Sequence, residues 1–238
     1  IIIYDNNKIC MIKHSEIKEE ISLFKHGFHK PNNIENFDFS SLLENAKKID
    51  ANSDDQKSGY STDIYEYLDE ESKTKLKQLS LRLLNYKIVK KYLLFPSVLK
   101  IRVLKAKFNK DAFEDPSHAM LWHRDLDDVF SQLKFIIPLN SNSKENGAFS
   151  VCSKKIATRD QILIDNIMIN KLASSKDNYR NEDVVRVSDE AFKKKFSNFI
   201  FEFSGDKSDL LIVDTNRCYH KGGLVLVEGL ERYMIHFH

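Results

Sequence analysis

The chain has 238 residues and a mass of 27.8 kDa, with 37 Lys and Arg against 35 Asp and Glu, so its formal charge is +2. That near-neutral balance gives no electrostatic reason to expect nucleic acid or an anionic membrane as partner, and no apolar run approaches the roughly 18 residues that cross a bilayer. Cys10, Cys152 and Cys218 are odd in number and lack a Cys-x-x-Cys spacing, which argues against a disulfide framework or a zinc ribbon and suits buried thiols in a reducing, cytoplasmic setting.

At this length one domain is expected over 1–238, with residues 1–95 forming a helical flank and the first strands and 96–238 a β core. The chain opens on Ile1 rather than Met, so an initiating segment, or a signal removed with it, remains open. IIIYDNNKICMI reads as two short strands around Asp5, Asn6 and Asn7, and Ser15 as the cap of a helix that buries Ile17, Ile21 and Phe24 and ends near Gly27. From His29 to Ser61 the sequence is polar apart from a short helix around Leu42, Leu43 and Ala46. It reads as a surface excursion, either a plain connector or part of a pocket mouth.

Residues 69–94 predict one helix, with Leu76, Leu79, Leu83 and Tyr86 in register and Pro96 as its stop. SVLKIRVLKAKF predicts a strand over 97–108, and PSHAMLWHRDLDD a loop that enters a strand carrying His123 and Asp125. Over 132–139, Leu133, Phe135, Ile137 and Leu139 alternate with Gln132, Lys134 and Ile136, which puts the two sets on opposite faces. Residues 153–198 are irregular, with one amphipathic helix around Ile162, Leu163, Ile167 and Leu172 and another beginning at Ser188 with Phe192 and Phe196. An insertion of this length is a candidate lid. FIFEF, SGDKS and DLLIVD then predict a hairpin that delivers His220.

His123 and Asp125 are two apart, which in an extended backbone directs both side chains to one face. A His-x-Asp pair carries little weight alone, since chance supplies roughly 0.7 such pairs in a chain of this composition. With a distant His220 it makes two imidazoles and one carboxylate, a facial set that leaves open positions on non-haem Fe(II). Arg232, twelve residues after His220, would pair a carboxylate-bearing co-substrate, or else form a surface ion pair with Glu228 or Glu231. Lys134 would either point inward and assist that carboxylate or stand solvated at the rim. His118 reads as a loop residue near the pocket; His236 and His238 face the cavity or the solvent.

The run WHRD, LKFIIPL, ENGAF, Gly205-Asp206, LLIVDT, YHKGG and ER resembles the phytanoyl-CoA dioxygenase family of Fe(II)/2-oxoglutarate oxygenases in order and spacing. The resemblance covers about residues 95–238. It implies an all-β double-stranded β-helix (jelly-roll, cupin-like) with flanking helices. It implies Fe(II), 2-oxoglutarate and O2, with iron on His123, Asp125 and His220 and 2-oxoglutarate on Arg232, assisted by Lys134. The expected reaction is hydroxylation of a small molecule with release of succinate and CO2. One departure stands out: the family ends its post-turn strand in Pro-Gly-Ser-His, where this chain has VCSKK at 151–155. That distal histidine is not an iron ligand, so the departure bears on the substrate side. The rival readings are an inactive jelly-roll ligand-binding module and a zinc hydrolase using Asp127 or Asp128 as base.

Overall fold

The computed structural model describes residues 2–5, 8–11, 23–31, 33–49, 61–93, 96–114, 118–125, 132–156 and 186–238. Its strands are β1 (Ile2–Asp5), β2 (Lys8–Met11), β3 (Phe28–His29), β4 (Ser61–Asp63), β5 (Ile101–Lys107), β6 (Leu133–Pro138), β7 (Phe149–Cys152), β8 (Ile200–Phe203), β9 (Leu211–Asp214), β10 (His220–Lys221) and β11 (Glu231–Phe237). The helices are α1 (Leu23–His26), α2 (Phe39–Lys48), α3 (Glu70–Leu84), α4 (Lys87–Tyr92), α5 (Lys110–Glu114) and α6 (Asp189–Phe196).

Two antiparallel sheets face each other, a six-stranded one in the order β3-β9-β6-β11-β5-β4 and a three-stranded one in the order β10-β7-β8; β1 and β2 pair separately. This is the double-stranded β-helix with flanking helices that the sequence leads one to expect. The pleat of β6 explains the layering. Leu133, Phe135 and Ile137 join Leu76, Leu79, Leu83, Phe39 and Leu42 in a core beneath the helices. Ile136, on the opposite face, packs with Phe149, Val151, Phe203, Leu211 and Met234 between the sheets. A third cluster of Trp122, Cys152, Phe192, Phe196 and Tyr219 lies under α6.

Several expectations change. The helix foreseen over 69–94 is two helices, because Asn85 closes α3 with its backbone N–H on Arg82 O and Tyr86 opens α4 in an extended conformation. The polar stretch after His29 is more than a connector, since α2 buries Phe39, Leu42 and Ala46. Phe24 is 51% exposed and only its edge meets Tyr92, whereas Leu23 beside it is buried; Ser15, Ile17 and Ile21 lie outside the described residues.

FIFEF and DLLIVD are not a hairpin. β8 pairs with β7 in the small sheet and β9 with β6 and β3 in the large one, so the turn between them crosses from sheet to sheet. The local alternation of both segments is compatible with either partner, and only the tertiary pairing decides. Within the candidate lid, α6 forms as expected with Ser188 Oγ accepting from Ala191 N. The helix foreseen around Ile162 lies outside the described residues. Cys152 and Cys218 are buried free thiols, and burial pushes Cys218 up to about 12 and Cys152 higher still. No helix among the described residues is long and apolar enough to cross a membrane.

Ile235 stands at the centre of the large sheet, fully buried and opposite both Val103 and Ile137. Ile235→Ala should cost about 2–5 kcal/mol, read from the denaturant midpoint at constant m-value; a loss below about 1 kcal/mol would contradict this account of the core. His26 tests the joint between α1 and the end of β7. Its Nδ1 lies 3.1 Å from Ser153 Oγ and its carbonyl accepts from Lys154 N at 2.9 Å. Burial, with Lys155, Lys25 and Lys154 nearby, lowers its pKa from 6.5 to about 4. Between those values the unfolded chain holds a proton that the folded chain does not, so stability is full above pH 6.5 and falls as pH drops towards 4. His26→Gln should flatten the stability–pH curve in that window; an unchanged slope would show that the ring titrates freely when folded.

Candidate active site

His123 arrives on a segment much shorter than the expected strand. Trp122 bridges Val187 and His123 bridges His220, with His123 N–H donating to His220 O at 3.0 Å and the reverse bond at 2.8 Å. The chain then leaves the ladder, and Asp125 N–H donates to Thr215 O at 3.1 Å in the turn after β9. The His123–His220 bridge lays one residue against β10 of the small sheet and brings the imidazole rings to a centroid separation of 4.3 Å. Asp125 Oδ1 lies 3.8 Å from His123 Nε2 and 3.6 Å from His220 Nε2. The three side chains thus offer donor atoms all within 4.8 Å of one another, a group that could hold a metal ion.

The outer nitrogens fix which atoms are donors. His123 Nδ1 lies 2.8 Å from Leu121 O and His220 Nδ1 3.2 Å from Cys218 O. A carbonyl only accepts, so each ring is protonated at Nδ1 and presents the Nε2 lone pair inward. Among the described residues no hydrogen bond reaches His220 Nε2, although it is buried. An orphaned imidazole nitrogen aimed at a carboxylate and a second imidazole fits a metal better than a packing role.

Lys134 points inward, the first of the two readings the sequence allowed, and its ammonium donates to Asp125 Oδ2 at 3.0 Å. That leaves Oδ1 for the site. Burial opposes ionisation of Asp125, but the imidazoles when protonated, and the Lys134 ammonium at 3.0 Å throughout, outweigh it and hold the carboxyl well below the usual carboxylate range. Burial also lowers His123 to about 4 and His220 well below its usual value. At neutral pH the set is one carboxylate and two neutral imidazoles, the protonation state that metal binding requires.

Arg232 is 3% exposed, which removes the surface ion-pair reading; Glu231 pairs with Lys105 at 3.3 Å instead. Its Nη1 donates to Gly223 O at 2.7 Å and also to Gly147 O. Gly147 has φ +90°, and a Cβ there would come within 2.6 Å of both Arg232 Nη1 and Gly223 O. The glycines of ENGAF and YHKGG therefore let two turns close around one guanidinium.

Arg232 and Lys134 share a cavity of about 170 Å³ with His123, His220 and His236. Its remaining wall includes Ser61, Arg102 and Phe149, none of which the sequence singled out. Phe149 stacks on His220 at 5.6 Å. Only the alternation of the FSVC strand hinted at it. His238 lies instead beside Gln132, 3.4 Å from its Nε2. The side chain of His118, and Asp127 and Asp128, lie outside what is described. Gly222 also lines a larger cavity of about 590 Å³ whose wall includes Leu121, Lys144, Arg186, Glu202 and Leu224.

No family model matches the chain, and no curated protein does. Solved structures do. HygX from Streptomyces hygroscopicus with nickel and 2-oxoglutarate bound has a TM-score of 0.57 at 13% identity, over 95% of this chain and 86% of that one. The epimerase SnoN in complex with Fe3+, alpha ketoglutarate and nogalamycin RO gives 0.58 at 12%, over 90% and 79%. AviO1 from Streptomyces viridochromogenes Tue57 gives 0.53 at 14%, over 97% and 95%. At these identities the likeness establishes the fold, which the chain shares with proteins that include two solved with nickel or iron and 2-oxoglutarate bound.

Proposed function

We propose that the chain is an Fe(II)- and 2-oxoglutarate-dependent oxygenase of the phytanoyl-CoA dioxygenase type, one domain hydroxylating a small molecule with release of succinate and CO2. One observation carries this reading: two Nε2 lone pairs and one carboxylate oxygen converge within 4.8 Å, and the two imidazoles line a cavity that a buried arginine also lines. Bound together, Fe(II) and 2-oxoglutarate supply the coupling of keto-acid decarboxylation by O2 to oxidation of an unactivated C–H bond.

His123, Asp125 and His220 would hold the iron through one face, leaving its remaining positions to co-substrate and O2. Lys134 keeps Asp125 to a single inward oxygen and adds positive charge to the cavity wall. Arg232 would take the distal carboxylate of 2-oxoglutarate, for which a planar guanidinium offers paired donors and a charge that burial does not remove. Phe149, Leu104 and Met234 supply the apolar side of the cavity and exclude water. The adjoining 590 Å³ space has the size of a small-molecule site. The neighbours support that choice of substrate class, since HygX has been solved with hygromycin B bound and SnoN with nogalamycin RO.

Anaerobic loading with Fe(II) and 2-oxoglutarate should develop the visible charge-transfer band of a chelated keto acid, and Asp125→Ala should weaken or abolish it. A wild-type protein that binds neither would return the chain to the jelly-roll binding module. Arg232→Lys keeps the charge and loses the paired geometry. It should weaken 2-oxoglutarate about ten- to 150-fold, the equivalent of 1.5–3 kcal/mol for charge-assisted bonds, and leave Fe(II) affinity nearly unchanged. Paired titrations of wild type and variant measure both constants; equal 2-oxoglutarate affinity would move the anchor to Lys134 or another basic residue.

A further inference from the structure

We infer that Asp189, in the first turn of α6, is a positioning residue that aims both histidines of the candidate iron site; this rests on the metal reading above. Asp189 Oδ1 accepts from Trp122 Nε1 at 2.9 Å and lies 2.6 Å from Lys221 Nζ, while Oδ2 lies 2.8 Å from Lys193 Nζ. Trp122 directly precedes His123 and Lys221 directly follows His220. In extended backbone, neighbours in sequence point to opposite faces, so these two side chains leave the ladder on the side away from the donor atoms. One carboxylate thus ties the two ligand segments together from behind.

Aromatic packing reinforces the tie. The Trp122 ring stacks on Phe192 of α6 at 4.3 Å and 12°, and Phe192 meets Tyr219, the residue before His220, at 5.3 Å. The Lys221 ammonium lies 5.7 Å from the Trp122 ring centroid. Trp122, Phe192 and Tyr219 are each at most 1% exposed. α6 therefore grips a residue beside each histidine.

The ladder needs such support. His123 belongs to an isolated bridge and β10 is two residues long, so few backbone bonds fix the ring directions. The Nδ1 contacts orient each imidazole about its own backbone, whereas the Asp189 carboxylate, with Phe192 beside it, relates one segment to the other from the outer face. Loss of a hydrogen-bond partner of a ligand itself typically weakens metal binding by about 10–100-fold, and Asp189 acts one residue further out, so its loss should weaken binding by roughly several-fold to tenfold.

The test uses the full chain and Co(II), whose visible bands report ligand geometry without turnover. Trp122 is the single tryptophan, so its fluorescence follows metal binding at the neighbouring His123. Asp189→Asn should raise the Co(II) dissociation constant by roughly several-fold to tenfold and alter the Co(II) bands, beyond any change in melting temperature. Lys193→Ala leaves the Trp122 and Lys221 contacts in place and should bind as wild type does. Asp189→Asn with wild-type affinity and bands, even if less heat-stable, would overturn the proposal and leave Asp189 a stabiliser of α6. Should that variant fail to fold, Trp122→Phe keeps the stacking and removes one bond; several-fold weaker Co(II) binding supports the tie, and wild-type affinity overturns it. A wild type that binds no Co(II) would instead overturn the metal reading on which the proposal stands.

Discussion

The reciprocal backbone bond between His123 and His220 is the contact on which the site depends. It joins a segment that enters from α5 to one that leaves β9, and without it the two imidazoles belong to unrelated parts of the chain. The two sheets set the register: β10 is held against β7, with His220 opposite Val151, and His123 is laid on the free edge that remains. Asp125 follows because its amide finds Thr215 O, the first acceptor beyond the β9 strand. The donor set is therefore a consequence of sheet pairing, and the core beneath β6 and β11 stabilises the site at a distance.

Charge completes what pairing begins. Asp125 and Lys134 form a pair that is mostly withdrawn from solvent, with side chains 23% and 10% exposed. Such a pair contributes little to stability, because desolvation of both groups offsets their attraction. Its effect is on protonation and direction: the ammonium keeps the carboxyl ionised and occupies one oxygen, so the other faces two neutral imidazoles. A core of apolar residues in the same place could hold the fold and could not hold a divalent ion.

The jelly-roll was legible through the resemblance of motif order and spacing to a known family, whereas the alternation of LKFIIPL by itself indicated only a strand with two distinct faces. His123, Asp125, His220, Arg232 and Lys134 were singled out in the sequence; in the structure His123, His220, Arg232 and Lys134 line one cavity, and Asp125 lies against both imidazoles and the Lys134 ammonium. What stayed hidden depended on contacts between distant segments. FIFEF and DLLIVD alternate correctly for a hairpin, yet they serve different sheets. Asp189 carries no local signal, since an acidic residue after Ser188 is what any helix start prefers. Ser61 and Arg102 reach the cavity only because β4 and β5 form the far edge of the large sheet. The VCSKK departure also became intelligible only in three dimensions. There Ser153 turns to His26, and Lys154 N–H donates to the carbonyl of the same residue, so this stretch is engaged in joining α1 to the small sheet.

The period-two geometry of the small sheet gives its two faces separate work. Inward, His123, His220 and Phe149 line the cavity; outward, Trp122, Lys221 and Cys152 meet α6. Residues 153–198 were expected as a candidate lid, and within them α6 buries Phe192 and Phe196. A segment that swings must separate from the core at low cost, whereas Phe192 stacks against Trp122 and meets Tyr219 with almost no exposed surface. α6 thus touches the larger cavity, through Asp189 and Lys193, and at the same time the residues beside both histidines, through Trp122, Tyr219 and Lys221.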